Sequence, residues 1–222
     1  MPRAVIFDLD DTLVDQRTAA HEAVVSWAAE LGVVGPEVAR RWDAVAERHY
    51  RRYQRREITF QEQRRERVRE FLGRELSDDG ADIVFAGYLS RYEAGWRVFP
   101  DVPPVLDRLA GHGIRLAILT NGESQQQLRK LDRVGLTERF EAVVCSSELP
   151  AGKPDPPAFL TTVHRLGVAP EETLMVGDSL AADVEGALAA GLDAVLVDRR
   201  DQHADAGVRR VTSLDELFVE GR

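Results

Sequence analysis

Ala4-Val5-Ile6-Phe7 runs directly into Asp8-Leu9-Asp10-Asp11-Thr12 near the start of this 222-residue chain. Four apolar residues with no polar alternation mark a strand buried on both faces, and the abrupt change puts the polar residues at its carboxyl end. Similar runs recur over residues 114–119, 142–145, 173–176 and 194–197, with a weaker one over 210–212. Helical stretches lie between them over 102–110, 124–134, 156–166 and 180–190, and a last helix is read from Ser213. Gly135, Gly167 and Gly191 stand just past three of these stretches, where a helix commonly turns left-handed and stops. Strands alternating with helices imply right-handed crossovers. The expected fold is therefore α/β and Rossmann-like, a mostly parallel sheet with helices on both faces.

Between about residues 18 and 96 the alternation stops, and only amphipathic helical signals remain. A helix over 18–31 ends at Gly32, and Pro36 is read in the first turn of a second, where its missing N–H does no harm. Thr59-Phe60-Gln61-Glu62 has the spacing of a capping box for a third helix, reaching Leu72 before Gly73. Ser77 or Asp78 opens a fourth that runs to about Gly95. Residues 1–15 and 98–222 are thus expected to form the α/β core, with residues 16–97 an all-helical cap inserted after the first strand.

Charge separates the two parts. Asp and Glu number 38 against 29 Lys and Arg, a net charge of -9, yet residues 16–97 carry 15 basic and 14 acidic side chains, so the acidity belongs to the α/β part. Such a surface repels nucleic acid and anionic membranes, and neither is expected as a partner. The single cysteine, Cys145, excludes an intramolecular disulfide and a cysteine-held zinc, and in its apolar strand it is read as core. The N-terminal apolar run is too short for a signal-peptide core or a membrane span, so a cytoplasmic setting is expected.

In an open parallel sheet, ligands bind beyond the carboxyl ends of the strands, so the polar residues following each run should converge. They are Asp8, Asp10 and Thr12 after the first strand, Thr120 and Asn121 after the second, Lys153 in the loop beyond Cys145, and Asp178 after Gly177. Crowded carboxylates repel one another unless a cation neutralises them, and a hard divalent ion such as magnesium takes oxygen ligands of this kind. A carboxylate can also accept a phosphoryl group covalently, with a hydroxyl and an ammonium to stabilise the charge on its oxygens.

Four segments in order, Asp8-Leu9-Asp10-Asp11-Thr12, Leu119-Thr120-Asn121, Lys153-Pro154 and Gly177-Asp178-Ser179 with Asp183 beyond, resemble the motifs of the haloacid dehalogenase superfamily. The resemblance spans the chain, because the helical insertion is similar to that superfamily's helical cap. It implies a magnesium-dependent phosphatase acting on a small phosphorylated metabolite. Asp8 would attack phosphorus, and Asp10 would protonate the leaving oxygen and later take a proton from water. Thr120 would hydrogen-bond a phosphoryl oxygen, helped by the backbone amides near Leu9 and Asn121, and Lys153 would neutralise nucleophile and phosphate together. Magnesium would sit on Asp8, the Asp10 carbonyl and Asp178, with Asp183 acting through a water ligand or bracing Lys153. Asp11 departs from the glycine usual at its position, which puts the geometry of that loop in question.

The same fold admits 2-haloacid dehalogenation, but that chemistry has no alkoxide to protonate and needs no magnesium, leaving Asp10 and Asp178 without a task. A phosphomutase would differ only in the acceptor of the phosphoryl group. A receiver-like phosphoacceptor would not need the helical insertion, and a cap used for protein binding beside a vestigial site is disfavoured because no catalytic position is missing. Residues 40–74 hold 12 arginines against 6 acids. They read as a solvated, paired helical face, or as a source of one or two arginines that grip a charged substrate group. The histidines are scattered without metal-ligand spacing.

Overall fold

In the computed structural model, which describes residues 1–217, six strands run parallel in one sheet: β1 (Ala4–Phe7), β2 (Arg115–Thr120), β3 (Ala142–Cys145), β4 (Thr173–Gly177), β5 (Asp193–Val197) and β6 (Arg210–Val211). Their order is β3-β2-β1-β4-β5-β6, so the first strand of the chain is central. Phe7 lies opposite Ile118 on one side and Val176 on the other, so β2 and β4 run on past the end of β1, to Thr120 and Gly177. All four β1 residues are completely buried, as an unbroken apolar run demands.

The helices are α1 (Gln16–Glu30), α2 (Val38–Gln54), α3 (Phe60–Leu72) and α4 (Asp78–Ala94), then α5 (Val102–Gly111), α6 (Ser124–Arg133), α7 (Pro156–Leu166) and the short α8 (Gly186–Ala189). Two units result, one built from Met1–Asp15 and the chain from Val98 onward, the other from Gln16–Arg97. In the α/β unit, Phe159, Val163 and Leu166 of α7 and Ala187 of α8 join Ile6, Leu119, Val144 and Met175 in one buried cluster. The α/β, Rossmann-like architecture follows from the sequence, and no helix among the described residues is long and apolar enough to cross a membrane.

The helical unit is held by rings. Trp27 stacks on Phe71 with centroids 5.6 Å apart, and Trp42 meets Tyr88 at 4.6 Å. The Thr59 hydroxyl accepts from the Glu62 N–H while the Glu62 carboxylate accepts from the Thr59 N–H, the capping box that starts α3. Ser77 caps α4 by accepting from the Gly80 N–H. Much of the arginine run is paired: Arg65 with Asp78 and Asp82, Arg69 with Glu66 and Asp78, Arg48 with Glu70 and Arg51 with Glu47.

Three local expectations need correction. Pro36 lies in the turn before α2, which begins only at Val38. The stretch 180–190 does not begin as an α-helix: Leu180–Glu185 is a wide π turn, in which the Val184 N–H reaches back to the Ser179 carbonyl, and only Gly186–Ala189 is α-helical. Ser213 opens a 3-10 turn over Leu214–Glu216, and the remainder of the helix read there lies outside the described residues.

Candidate active site

The chain leaves β1 at Asp8, whose N–H donates to the Val176 carbonyl of β4 at 2.9 Å and so continues the ladder one residue into the site. The following loop closes at once. The Leu13 and Val14 N–H groups both donate to the Leu9 carbonyl, and the Asp11 N–H donates to the Val14 carbonyl. Asp11 has φ 59, the left-handed conformation that glycine adopts freely and that Asp tolerates better than most residues. The residue that departs from the family's glycine therefore keeps a glycine-like backbone. Thr12 points inward: its side chain is fully buried and its carbonyl accepts from Arg199.

Lys153 is the hub of one cluster. Its ammonium lies 2.6 Å from Asp8 Oδ1 and 2.5 Å from Asp183 Oδ1, with all three side chains buried. Asp183 Oδ2 accepts from the Ser179 N–H at 2.9 Å, so both of its oxygens are engaged by the protein and its position is that of a brace on Lys153. The π turn makes this possible by widening the helix start until Asp183 points back at β4. Asn121, just past β2, clamps the backbone of Lys153: its Oδ1 accepts from the Lys153 N–H and its Nδ2 donates to the Lys153 carbonyl, at 2.8 and 2.7 Å.

Asp178 completes the group, with single carboxylate oxygens of Asp8, Asp178 and Asp183 all within 4.8 Å of one another. Three carboxylates and one ammonium leave an excess of negative charge in a dry place. Burial, then the repulsion of Asp183, lifts the Asp8 carboxyl to about 7 against the pull of Lys153. Burial and the charges of Asp8 and Asp183 lift Asp178 to about 8. Burial opposes the Lys153 charge, but Asp183 and Asp8 outweigh it and hold the proton more tightly than usual. Hard oxygen donors at this spacing, short of positive charge, are the donor set that suits a divalent cation of the magnesium type.

Asp10 belongs to a second, adjoining cluster. Its Oδ1 pairs with Lys130 and its Oδ2 accepts from Gln127 Nε2 at 2.9 Å, while the same nitrogen lies 2.7 Å from Thr120 Oγ1 at the end of β2. No role in the site was read from the sequence for Gln127 or Lys130. The available signal was helical period: Leu131 fixes the buried face of α6, and positions 127 and 130 share it.

Sequence reading thus named residues that fall into two groups: Asp8, Lys153, Asp178 and Asp183 in one, Asp10 and Thr120 in the other. Asn121 stands behind Lys153 through its side chain, and Leu9 is buried with its carbonyl closing the loop.

Comparison with known proteins identifies the family. Residues 2–191 match the haloacid dehalogenase-like hydrolase family. The glyceraldehyde 3-phosphate phosphatase of Methanopyrus kandleri is 33% identical over 226 residues, covering 99% of this chain and 94% of that protein. A HAD-hydrolase of Bacillus subtilis bound to magnesium has the same fold, with a TM-score of 0.83, 24% identity, and 98% and 97% of the two chains covered. A 2-haloacid dehalogenase of Pseudomonas syringae pv. Tomato aligns with a TM-score of 0.70 and 28% identity over 98% and 96%. The chain belongs to the haloacid dehalogenase-like hydrolase family and is an enzyme of that family.

Proposed function

We propose that this enzyme, a phosphatase of its family, hydrolyses a small phosphomonoester with magnesium through an aspartyl phosphate on Asp8. The observation that carries this reading is the division of labour between two aspartates one residue apart. Asp8 is buried against the Lys153 ammonium at 2.6 Å, whereas the Asp10 carboxyl is held in a separate cluster, by Lys130 and by the Gln127 amide that it shares with Thr120. One is set up as a nucleophile and the other as a proton carrier. Dehalogenation would leave the second without a task. The Methanopyrus relative, named for the removal of phosphate from a small phosphorylated aldehyde, supports the same choice.

In the first step an Asp8 oxygen forms a bond to phosphorus as the bond to the ester oxygen breaks. Asp10 passes its proton to that departing oxygen. Lys153 and the Thr120 hydroxyl stabilise the charge spread over the phosphoryl oxygens, as donors placed where charge develops do. In the second step Asp10 takes a proton from water as the water oxygen attacks phosphorus, and the bond to Asp8 breaks to return its carboxylate. Asp8, the Asp10 carbonyl and Asp178 would hold magnesium, which supplies positive charge to the phosphoryl oxygens when bound. Residues 16–97 act as a cap that selects the substrate, a small phosphorylated metabolite.

The test is phosphate release from a panel of small phosphoesters with magnesium and after chelation, together with rapid quench and mass measurement of the peptide containing Asp8. The expected result is magnesium-dependent turnover and an 8-position adduct, both absent in Asp8→Asn. Full activity after complete metal removal, or turnover by Asp8→Asn, refutes the mechanism.

A further inference from the structure

Two polar side chains of α6 are buried without belonging to any of the four motifs. Lys130 is completely buried and Gln127 is 1% exposed. A buried ion pair adds little stability that a well-packed apolar pair would not, so stability alone is a weak reason to place an ammonium there. What the two residues do share is their target. Lys130 binds one oxygen of the Asp10 carboxyl and Gln127 the other, and donors on both oxygens fix the carboxyl's rotation.

Gln127 also fixes Thr120. One nitrogen, Nε2, has two N–H groups, and these are taken by Asp10 Oδ2 and Thr120 Oγ1. Turned round, the nitrogen would take the place of Oε1, which has no hydrogen-bond partner among the described residues, and both of its N–H groups would lose their acceptors. Since Thr120 Oγ1 accepts from Gln127, its own O–H is left to donate elsewhere. The remaining oxygen, Gln127 Oε1, is buried with no hydrogen-bond partner among the described residues, a cost accepted for this orientation.

The backbone reserves the space. A Cβ on Gly122 would lie 2.5 Å from both Gln127 Cγ and Nε2, so the absence of a side chain at 122 is what lets the carboxamide reach its two targets. We propose that Gln127 and Lys130 are positioning residues: together they aim the Asp10 carboxyl at the leaving oxygen, and Gln127 also turns the Thr120 hydroxyl toward the phosphoryl group. This inference rests on the phosphatase reading of Asp10 and goes beyond it to the residues that make that carboxyl effective.

The experiment compares Lys130→Met and Gln127→Leu with wild type and Asp10→Asn, using ethyl phosphate and p-nitrophenyl phosphate with magnesium. Nitrophenolate leaves without help, so a misdirected proton donor hurts the alkyl ester selectively. For Lys130→Met, kcat/KM for ethyl phosphate should fall about 10- to 100-fold, within the range of outer-shell effects and below the full general-acid contribution, while p-nitrophenyl phosphate changes by less than about threefold. Gln127→Leu should show the same selectivity on top of a loss common to both esters, because Thr120 is misdirected too. Thermal unfolding accompanies every variant. Equal losses for the two esters, no loss, or failure of both variants to fold would overturn the inference, the last because the pair would then be a determinant of the fold. If wild type releases phosphate from neither ester, the phosphatase reading fails instead. If Asp10→Asn shows the selective loss and the α6 variants do not, only the positioning role falls.

Discussion

Asp183 occupies the space in which a side chain on Gly177 would sit: a Cβ there would lie 2.3 Å from the Asp183 carboxyl carbon. The glycine that ends β4 is therefore coupled to Lys153, one contact further on, through the carboxylate that braces it. Gly177→Ala should push Asp183 away and release Lys153. The expected loss of phosphatase activity is about 10- to 100-fold, as for other residues that orient a catalytic group. Overpacking should also cost about 1–3 kcal/mol in urea unfolding. A variant with wild-type turnover would show that Asp183 does not act through Lys153.

Thr120 and Lys153 should be graded in importance. Thr120→Ala removes one donor and should lower kcat about 10²- to 10³-fold, the effect of an oxyanion donor. Lys153→Ala should cost at least as much, because it strips a full positive charge from beside Asp8 and Asp183. Steady-state rates on one good substrate check the order, and a milder effect at Lys153 would contradict it.

Asp11 is a test of backbone conformation. With φ 59, replacement by Gly should leave stability unchanged or raised, whereas Val should lose about 1–2 kcal/mol, the penalty of a left-handed backbone on a residue with a Cβ, or more. Urea denaturation of the two variants measures the difference. A valine variant as stable as the glycine one would be inconsistent with the loop described.

Stability should depend on pH in a direction that magnesium reverses. Asp8 and Asp178 are raised in the folded protein to about 7 and about 8 from an ordinary 3.8. Between the ordinary value and the raised ones the folded state binds more protons than the unfolded state, so their contribution favours folding at low pH and is lost as pH rises through that window. A bound cation needs both groups ionised and must displace protons at low pH. The rise in Tm on adding magnesium should therefore be small at pH 5 and large at pH 8. An equal rise at both would separate the two carboxyls from the metal.

Strand ends were legible because their chemistry is loud. An apolar run that stops at Asp8, at Thr120 or at Gly177 announces both the strand and the place where its polar residues go. The α6 pair was quieter, since a Gln and a Lys in a helix usually face water, and only their phase relative to Leu131 places them inside. The π turn at Leu180–Glu185 was not legible either. Its residues have ordinary helical propensity, and the Lys153 contact that accompanies the wide turn comes from a loop 30 residues away in the chain. Asn121 could be named from its place after β2, but its grip on the backbone of Lys153 depends on a loop 32 residues away.

The central place of β1 also has a consequence for biosynthesis. Ala4–Phe7 leaves the ribosome well before its two neighbours, which begin at Arg115 and Thr173. Long-range pairing of this kind is slow, because closure of the intervening chain precedes any reward. The contacts within Gln16–Arg97 close over much shorter distances, so that unit can fold while β1 still waits. A nascent chain halted before β4 would carry Asp8 and Asp10 but neither Asp178 nor Asp183, together with a four-residue apolar strand open along one edge. Such a chain would be catalytically inert and prone to associate through that edge, so partial synthesis yields sticky intermediates and no partial enzyme.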